Sequence, residues 1–490
     1  YAKFMNSLIE TAGHVPIFEA NDIKRQKLYF SDHEKSLEIY VPILSSSQCQ
    51  DLCKHVSANS NNFLKRQTTN NIIELIDKAI ERLLNRNDPY RQKIEKLLPF
   101  VTGFSSEVIK LGLTDYLKTF RKPQLARFVA EDFSNPKILD EFQPIIKGGF
   151  AKAFGPDILF HIWAGNVPGL PLWSIISGLL VKAGNIGKVS SAEPLFASLF
   201  VKLLIEIEPR ISDCLAIIWW PGGDVDQETI FLKNADIVLA YGGNETLSQI
   251  KNRTPITSRY LPYGHKISFG IISAITLTPQ KVWGVAHKAA NDIVRYDQQG
   301  CYSPQVFFVE AGGALSPREF ARYVAHELSC FQEKFPLRPL NSHEVITLAD
   351  WQNEQVIKTF SEPEREIISD KNGLWTVTYS ENDIDLSLSG LNRTIRIISI
   401  KSLEQIGSFL SPYKKFLQTV GISSSPKELF NLSEILGQYG VTRISALGSM
   451  TAPEAGWHHD GRFNLLDLVT LTEIESSAEH SSELYSPYMD

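Results

Sequence analysis

DILFHIWAGNVPGLPLWSIISGLLVKAGNIGKVSS, residues 157–191, decides the fold. Its first six residues read as a buried strand running into a Gly/Pro loop. LPLWSIISGLLVKAG (170–184) reads as a helix ending at Gly184, and NIGKVSS (185–191) as a second strand. The rhythm continues outward. EPLFASLFVKLLIEIEP (193–209) is a helix stopped by Pro209. CLAIIWWPGG (214–223) is a strand running into a Gly turn, and QETIFLKN (227–234) is a short helix. ADIVLAYGG (235–243) is a strand, and NETLSQIK (244–251) opens another helix. Alternation of this kind builds an α/β, doubly wound parallel sheet. Ligands sit at the carboxyl ends of such strands. Here those ends carry Asn166, Lys188, the pair Gly222/Gly223 and the pair Gly242/Gly243.

Upstream, SLEIYVPIL (36–44) is β-like, and NNIIELIDKAIERLLNRN (70–87) has a helical repeat of apolar residues. A second helical region runs from QKIEKLLPFV to TDYLKTF (92–120). Downstream, residues 278–300 read as helix then loop, and CYSPQVFFVE (301–310) turns into a strand. SPREFARYVAHELSCFQEKFP (316–336) is an amphipathic helix. VITLADW (345–351), LWTVTYS (374–380) and RTIRIISI (393–400) read as strands, and VTRISALG (441–448) ends the pattern. The polar tail SSAEHSSELYSPYMD (476–490) is expected to fray.

The totals narrow the classes. The chain has 490 residues, 43% hydrophobic and 21% charged, which means two or three globular domains. A net charge of −6 makes no electrostatic case for nucleic acid. Five scattered cysteines suit a reducing compartment, so a cytoplasmic location is expected. The start YAKFMNSLIE lacks the apolar core of a signal peptide. The apolar run 167–181 is interrupted by Ser and Pro and falls short of the roughly 20 residues of a membrane span. It reads as a core helix.

Cys301 is the candidate nucleophile, because it sits after Gly300 on a loop entering a strand. The alternative for any free cysteine is burial as an inert hydrophobe. That reading is kept for Cys214 and Cys330. Cys49 and Cys53, four residues apart, share a helix face, but nothing nearby completes a metal set. No metal is expected. The two Gly pairs fit close backbone approach to a cofactor, although Gly also simply ends strands. A full G-x-G-x-x-G fingerprint is absent after the first strand.

The order of short motifs adds more. AGNVPGLP (164–171) precedes AGNIGKVSSAEP (183–194), WWPGG (219–223), YGGNET (241–246), GHKIS (264–268) and QGCYSPQ (299–305). This order resembles the aldehyde dehydrogenase superfamily over about residues 145–470. With EAGWHHDGRFNLLDLV (454–469) it is similar to the LuxC-type acyl reductases, which make long-chain aldehyde from activated fatty acyl groups. The resemblance implies an aldehyde dehydrogenase-like fold in four stretches. Residues 1–145 would pack on the cofactor domain, 146–270 would bind nicotinamide cofactor, and 271–445 would form an α/β catalytic domain around Cys301. Residues 446–490 would return to the active-site mouth.

The resemblance also assigns roles. Asn166 becomes the oxyanion donor. Lys188, Ser190, Ser191, Pro221, Gly222, Gly223, Gly242, Gly243, Asn244 and Thr246 become cofactor contacts. Counting from AGN would place the family's Lys at Ser190; counting back from Pro194 places it at Lys188, the register preferred for keeping the basic residue, and puts Ser191 where NAD-preferring members hold a ribose-binding Glu. Ser191 and Lys188 accept a 2′-phosphate better than a carboxylate does, so NADPH is the expected cofactor, with Glu193 close by as the opposing charge. Pro262 stands where hydrolytic members place a general base, which favours reduction over oxidation to acid. His458 and His459 are candidates for a proton donor or acyl contact, with a satisfied structural His as the alternative. The implied reaction reduces a fatty acyl thioester to the aldehyde through an acyl-cysteine. The acyl group would come from acyl-CoA or an acyl carrier or acyl-transferase protein, and a homo-oligomer is expected. The rivals are a cofactor-free Cys acyltransferase or thioesterase, and a non-catalytic subunit of an acyl-processing complex.

Overall fold

Five short strands form a wholly parallel sheet. In spatial order they are Arg259–Tyr263, Ile237–Tyr241, Ile158–Ile162, Gly184–Lys188 and Leu215–Ile218. The three inner strands are buried almost throughout, as in a sheet covered on both faces. Helices Leu170–Leu180, Phe196–Ile207, Val225–Asn234 and Asn244–Arg253 make the crossovers. The chain moves outward from Ile158–Ile162 on one side and then returns to build the other. That reversal opens a crevice at the carboxyl ends of Ile158–Ile162 and Ile237–Tyr241.

The computed structural model describes residues 7–32 and 35–488. Residues 1–6 of the start read above, and the last two of the tail, lie outside the described residues. The chain divides into two compact units. The first comprises residues 1–102, 110–264 and 454–490, and holds the five-stranded sheet. It also holds two three-stranded sheets. One joins Ser7–Thr11, Ser36–Ile43 and Lys24–Ser31. The other joins Thr470–Ile474, Phe150–Phe154 and Gln143–Pro144. The second unit comprises residues 103–109 and 265–453. It is built on a seven-stranded sheet ordered Glu366–Ser369, Thr376–Ser380, Thr394–Ile400, Pro304–Glu310, Ile267–Ile272, Leu417–Ser423 and Arg443–Ala446. Only the Glu366–Ser369 edge strand is antiparallel.

Three expectations need correction. VITLADW lies inside the helix Ser342–Ser361, not in a strand. A reciprocal cap between Asn341 and Glu344 starts this helix, and Leu348, Trp351 and Gln355 make a buried stripe at helical spacing. Capping and that stripe override the local β preference of Val345, Ile346 and Thr347. The tail forms the helix Ser476–Glu483, with no buried residue, before running on exposed to residue 488. Cys330 is exposed, with its sulfur 3.6 Å from His326 Nε2 one helical turn away. Among the described residues no helix is long and apolar enough to cross a membrane.

Candidate functional site

The carboxyl ends of the five-stranded sheet collect the residues singled out for a cofactor. Lys188 ends its strand, half-buried, with its ammonium 5.5 Å from the centre of the Trp220 ring. Burial lowers its pKa, and the Glu228 carboxylate works the other way. Ser191 is exposed and accepts a hydrogen bond from the Trp219 indole at 2.9 Å. Ser190 accepts the Ala192 amide at 3.1 Å. Glu193 does not present its charge at this surface. It is buried, and its Oε1 accepts the Leu195 and Phe196 amides at 3.0 and 2.9 Å, starting the next helix. Burial pushes its carboxyl up to about 7.

Pro221, Gly222 and Gly223 form an exposed turn, and Gly223 has a φ of +89°. A Cβ on either glycine would meet nothing within 4 Å, and the same holds at Gly242 and Gly243. Gly243 caps the helix Asn244–Arg253, so Asn244 and Thr246 lie exposed in its first turn. This backbone is open, as close approach of a phosphate-bearing ligand requires. Asn166 is exposed on the loop that leaves Ile158–Ile162. The loop is held tightly at both ends. A Cβ on Gly165 would lie 2.8 Å from Ser190 Oγ, and the Gly169 carbonyl accepts the Tyr116 hydroxyl at 2.9 Å.

The segment 457–463 packs in the same unit. His458 Nε2 lies 3.0 Å from Asp132 Oδ1, and Asp132 Oδ2 accepts the Leu465 and Leu466 amides at 2.6 and 3.0 Å. The Asp132 side chain is 1% exposed. His459 stacks on Tyr263 at 4.4 Å, and Tyr263 stacks on Tyr241 at 4.9 Å, so this imidazole lies beside two strand ends. Arg462 covers Tyr263 at 4.2 Å and donates to the Pro262 carbonyl at 2.6 Å. Trp457 meets Trp173 at 6.3 Å, and Trp173 packs edge-on against Phe128 and Phe120. Pro262 offers no side chain that could accept a proton.

Asp132, Tyr241 and Tyr263 escaped the sequence reading. Asp132 ends an ordinary amphipathic helix, Lys122–Asp132, and its partners lie over 300 residues later. No local pattern marks it. Asp132→Ala strips three bonds from a buried carboxylate site and is expected to lower unfolding free energy by about 3 kcal/mol. Urea denaturation followed by tryptophan fluorescence reads this, and an unchanged midpoint would refute it.

In the second unit, Cys301 is half-buried in the turn Gly300–Ser303, closed by the Ser303 amide on the Gly300 carbonyl at 3.0 Å. The approach to it is unusual. Tyr296, Asp297 and Gln298 have φ of 53°, 50° and 63°, and Leu391, Asn392 and Arg393 have 53°, 52° and 68°. Left-handed backbone costs a non-glycine residue about 1 kcal/mol or more. Reciprocal bonds offset this. The Gln298 side chain donates to the Pro304 and Thr394 carbonyls and accepts the Thr394 amide, at 2.7–3.0 Å. Arg393 Nε donates to Asp297 Oδ1 at 2.8 Å, and the Asn392 amide donates to the Asp297 carbonyl at 3.2 Å. Burial raises the Asp297 pKa, with Arg393 opposing. The remaining thiols differ. Cys49, Cys53 and Cys214 are buried, and burial pushes them up to about 11, 12 and 12. Among the described residues no cluster of three or more His, Cys, Asp or Glu could hold a metal.

Comparison with known proteins places the fold. Aldehyde dehydrogenase 21 from Physcomitrella patens, solved with the product succinate, matches with a TM-score of 0.74 at 14% identity. The match covers 95% of this chain and 98% of that one. The aldehyde dehydrogenase KauB from Pseudomonas aeruginosa matches with a TM-score of 0.73 at 13% identity, over 94% and 95%. The fold is thus that of the aldehyde dehydrogenases. The family described as acyl-CoA reductase (LuxC) matches residues 64–471, and the chain belongs to that family of oxidoreductases. A relative from Photorhabdus laumondii subsp. laumondii, named long-chain acyl-protein thioester reductase, is 26% identical over 477 residues. Those residues are 96% of this chain and 93% of the relative. One of the same name from Vibrio harveyi is 24% identical over 425 residues, covering 85% and 84%.

Proposed function

We propose that this protein reduces a long-chain fatty acyl thioester to the aldehyde with NADPH, through an acyl group carried on Cys301. The observation that carries the reading is an accessible Cys301, held in a braced turn, in a chain that matches acyl-protein thioester reductases over nearly its full length. The Cys301 thiolate attacks the carbonyl, and the thiol of CoA or of an acyl-bearing protein leaves with a proton. Asn166 donates to the oxygen that becomes negative in each tetrahedral species. Collapse of the thiohemiacetal releases aldehyde and regenerates the thiolate. The relatives' name favours a protein-bound acyl donor.

The open backbone at Gly222, Gly223, Gly242 and Gly243 and the first turn at Asn244 and Thr246 fit a dinucleotide. Lys188, with Ser190 and Ser191, would hold a 2′-phosphate, and Pro221 would shape the turn beside it. Bound there, a reduced nicotinamide supplies hydride. With Pro262 in place of a base, water gains no proton acceptor at that position, so hydrolysis of the acyl-cysteine is disfavoured. His459 is the proton-handling candidate of the histidine pair, since His458 is committed to Asp132.

The test is NADPH oxidation by the parent protein with a long-chain acyl-CoA, and aldehyde must appear in step. Release of free CoA without oxidation would replace the reading with a Cys acyltransferase or thioesterase. Lys188→Ala is expected to raise KM for NADPH about tenfold or more, the worth of one charge-assisted bond, and to leave KM for NADH alone. Equal effects on both cofactors would assign Lys188 no part in phosphate recognition.

A further inference from the structure

Ser268 belongs to a strand whose neighbours do not match it. Between Ser268 and Gly270 the adjacent strand Pro304–Glu310 contributes one extra residue. Between Ile267 and Phe269 the other neighbour, Leu417–Ser423, does the same. Irregularities of this kind interrupt the ladder and recur beside functional groups. At this point a side chain takes over from the backbone. Ser268 Oγ, 0% exposed, accepts the Thr419 amide at 3.1 Å and donates to the Cys301 carbonyl at 2.6 Å. One hydroxyl therefore links the strand Leu417–Ser423 to the turn that leads into Pro304–Glu310 and grips the peptide that follows the Cys301 α-carbon. On the far side, Arg443 donates to Thr419 Oγ1 at 3.4 Å and to the Ser449 and Met450 carbonyls at 2.8 and 2.5 Å. Thr419 is thereby fixed from behind.

We propose that Ser268 is a positioning residue for Cys301, orienting the Gly300–Ser303 turn so that the thiol faces outward in a reactive rotamer. This rests on Cys301 being the reacting thiol, as proposed above. Ser268 does not touch substrate. It reaches Cys301 through a single carbonyl, and it is the one hydroxyl residue in the run ISFGII (267–272). Without the hydroxyl, the Cys301 carbonyl and the Thr419 amide both lose this bond, and the turn is less firmly held.

The experiment measures iodoacetamide alkylation of Cys301 against pH, in a Cys330→Ser background so that one accessible thiol dominates. Ser268→Ala is compared with Ser273→Ala. Ser273 sits just beyond the other end of the same strand, equally buried, and donates to Glu428 at 2.9 Å. The expected result is an alkylation rate at pH 7 about tenfold lower in Ser268→Ala, with Ser273→Ala at the parental rate and both melting together. Acyl-CoA turnover should fall in proportion in Ser268→Ala. A parental alkylation rate in Ser268→Ala overturns the proposal, as does an equal loss in both variants. Alkylation arrives at Cys301 whether or not the protein transfers hydride. A fall in alkylation without turnover of either acyl-CoA or an acyl-bearing protein by the parent would uphold the positioning role and reject the reductase reading.

Discussion

Cys301→Ala is expected to lower acyl-dependent NADPH oxidation at least about 10⁴-fold, the scale on which removing a covalent nucleophile acts. No other thiol can substitute. Cys49, Cys53 and Cys214 are buried and resist ionisation up to about pH 11–12. Cys330 is accessible, but it lies on the helix Pro317–Lys334 beside His326 and is not part of the Gly300–Ser303 turn. The substitution removes one half-buried sulfur, so the thermal midpoint should stay within a degree or two. Radiolabelled acyl-CoA should label the parent and not the variant. Turnover in the variant within tenfold of the parent would end the acyl-cysteine mechanism.

Asn166→Ala should cost about 10²–10³-fold in kcat, the worth of one preorganised oxyanion donor. The variant should fold normally, because Asn166 is exposed and its loop is held by its neighbours. Gly165 packs against Ser190, and Gly169 is tied to Tyr116. KM for NADPH should not move, since the loss falls on the transition state and not on cofactor binding. Steady-state kinetics at saturating cofactor separate the two. A preserved kcat with a lowered melting temperature would make Asn166 a turn residue and nothing more.

Four strands of the five-stranded sheet were legible because local signals agreed; the fifth, Arg259–Tyr263, was not read, since Pro262 argues against a strand. Three of the four apolar runs ended in Gly or Pro, and helices opened or closed on a recognisable residue, as at Pro209 and Gly243. The helix Ser342–Ser361 was misread because Val345, Ile346 and Thr347 favour strand, whereas the deciding features were a cap at Asn341 and a stripe spread over eight residues. Cys301 and its turn were legible, but their support was not. Asp297 meets Arg393 across 96 residues, and Ser268 meets Cys301 across 33. Contacts of that range leave no periodicity to read. The same holds for Asp132, whose identity as a buried acceptor depends wholly on chain that comes much later.

That dependence has a consequence for synthesis. The first unit is discontinuous, and its last stretch, residues 454–490, closes it. The strand Thr470–Ile474 pairs with Phe150–Phe154, and Leu465 and Leu466 deliver the amides that Asp132 awaits. A chain that has grown only to residue 453 therefore exposes the Asp132 carboxylate without those amides and leaves that sheet edge unpaired. The inserted residues 265–453 emerge complete beforehand. A stop codon just after 453 would leave those residues entire but leave the Phe150–Phe154 strand without its Thr470–Ile474 partner, some three hundred positions upstream of the break.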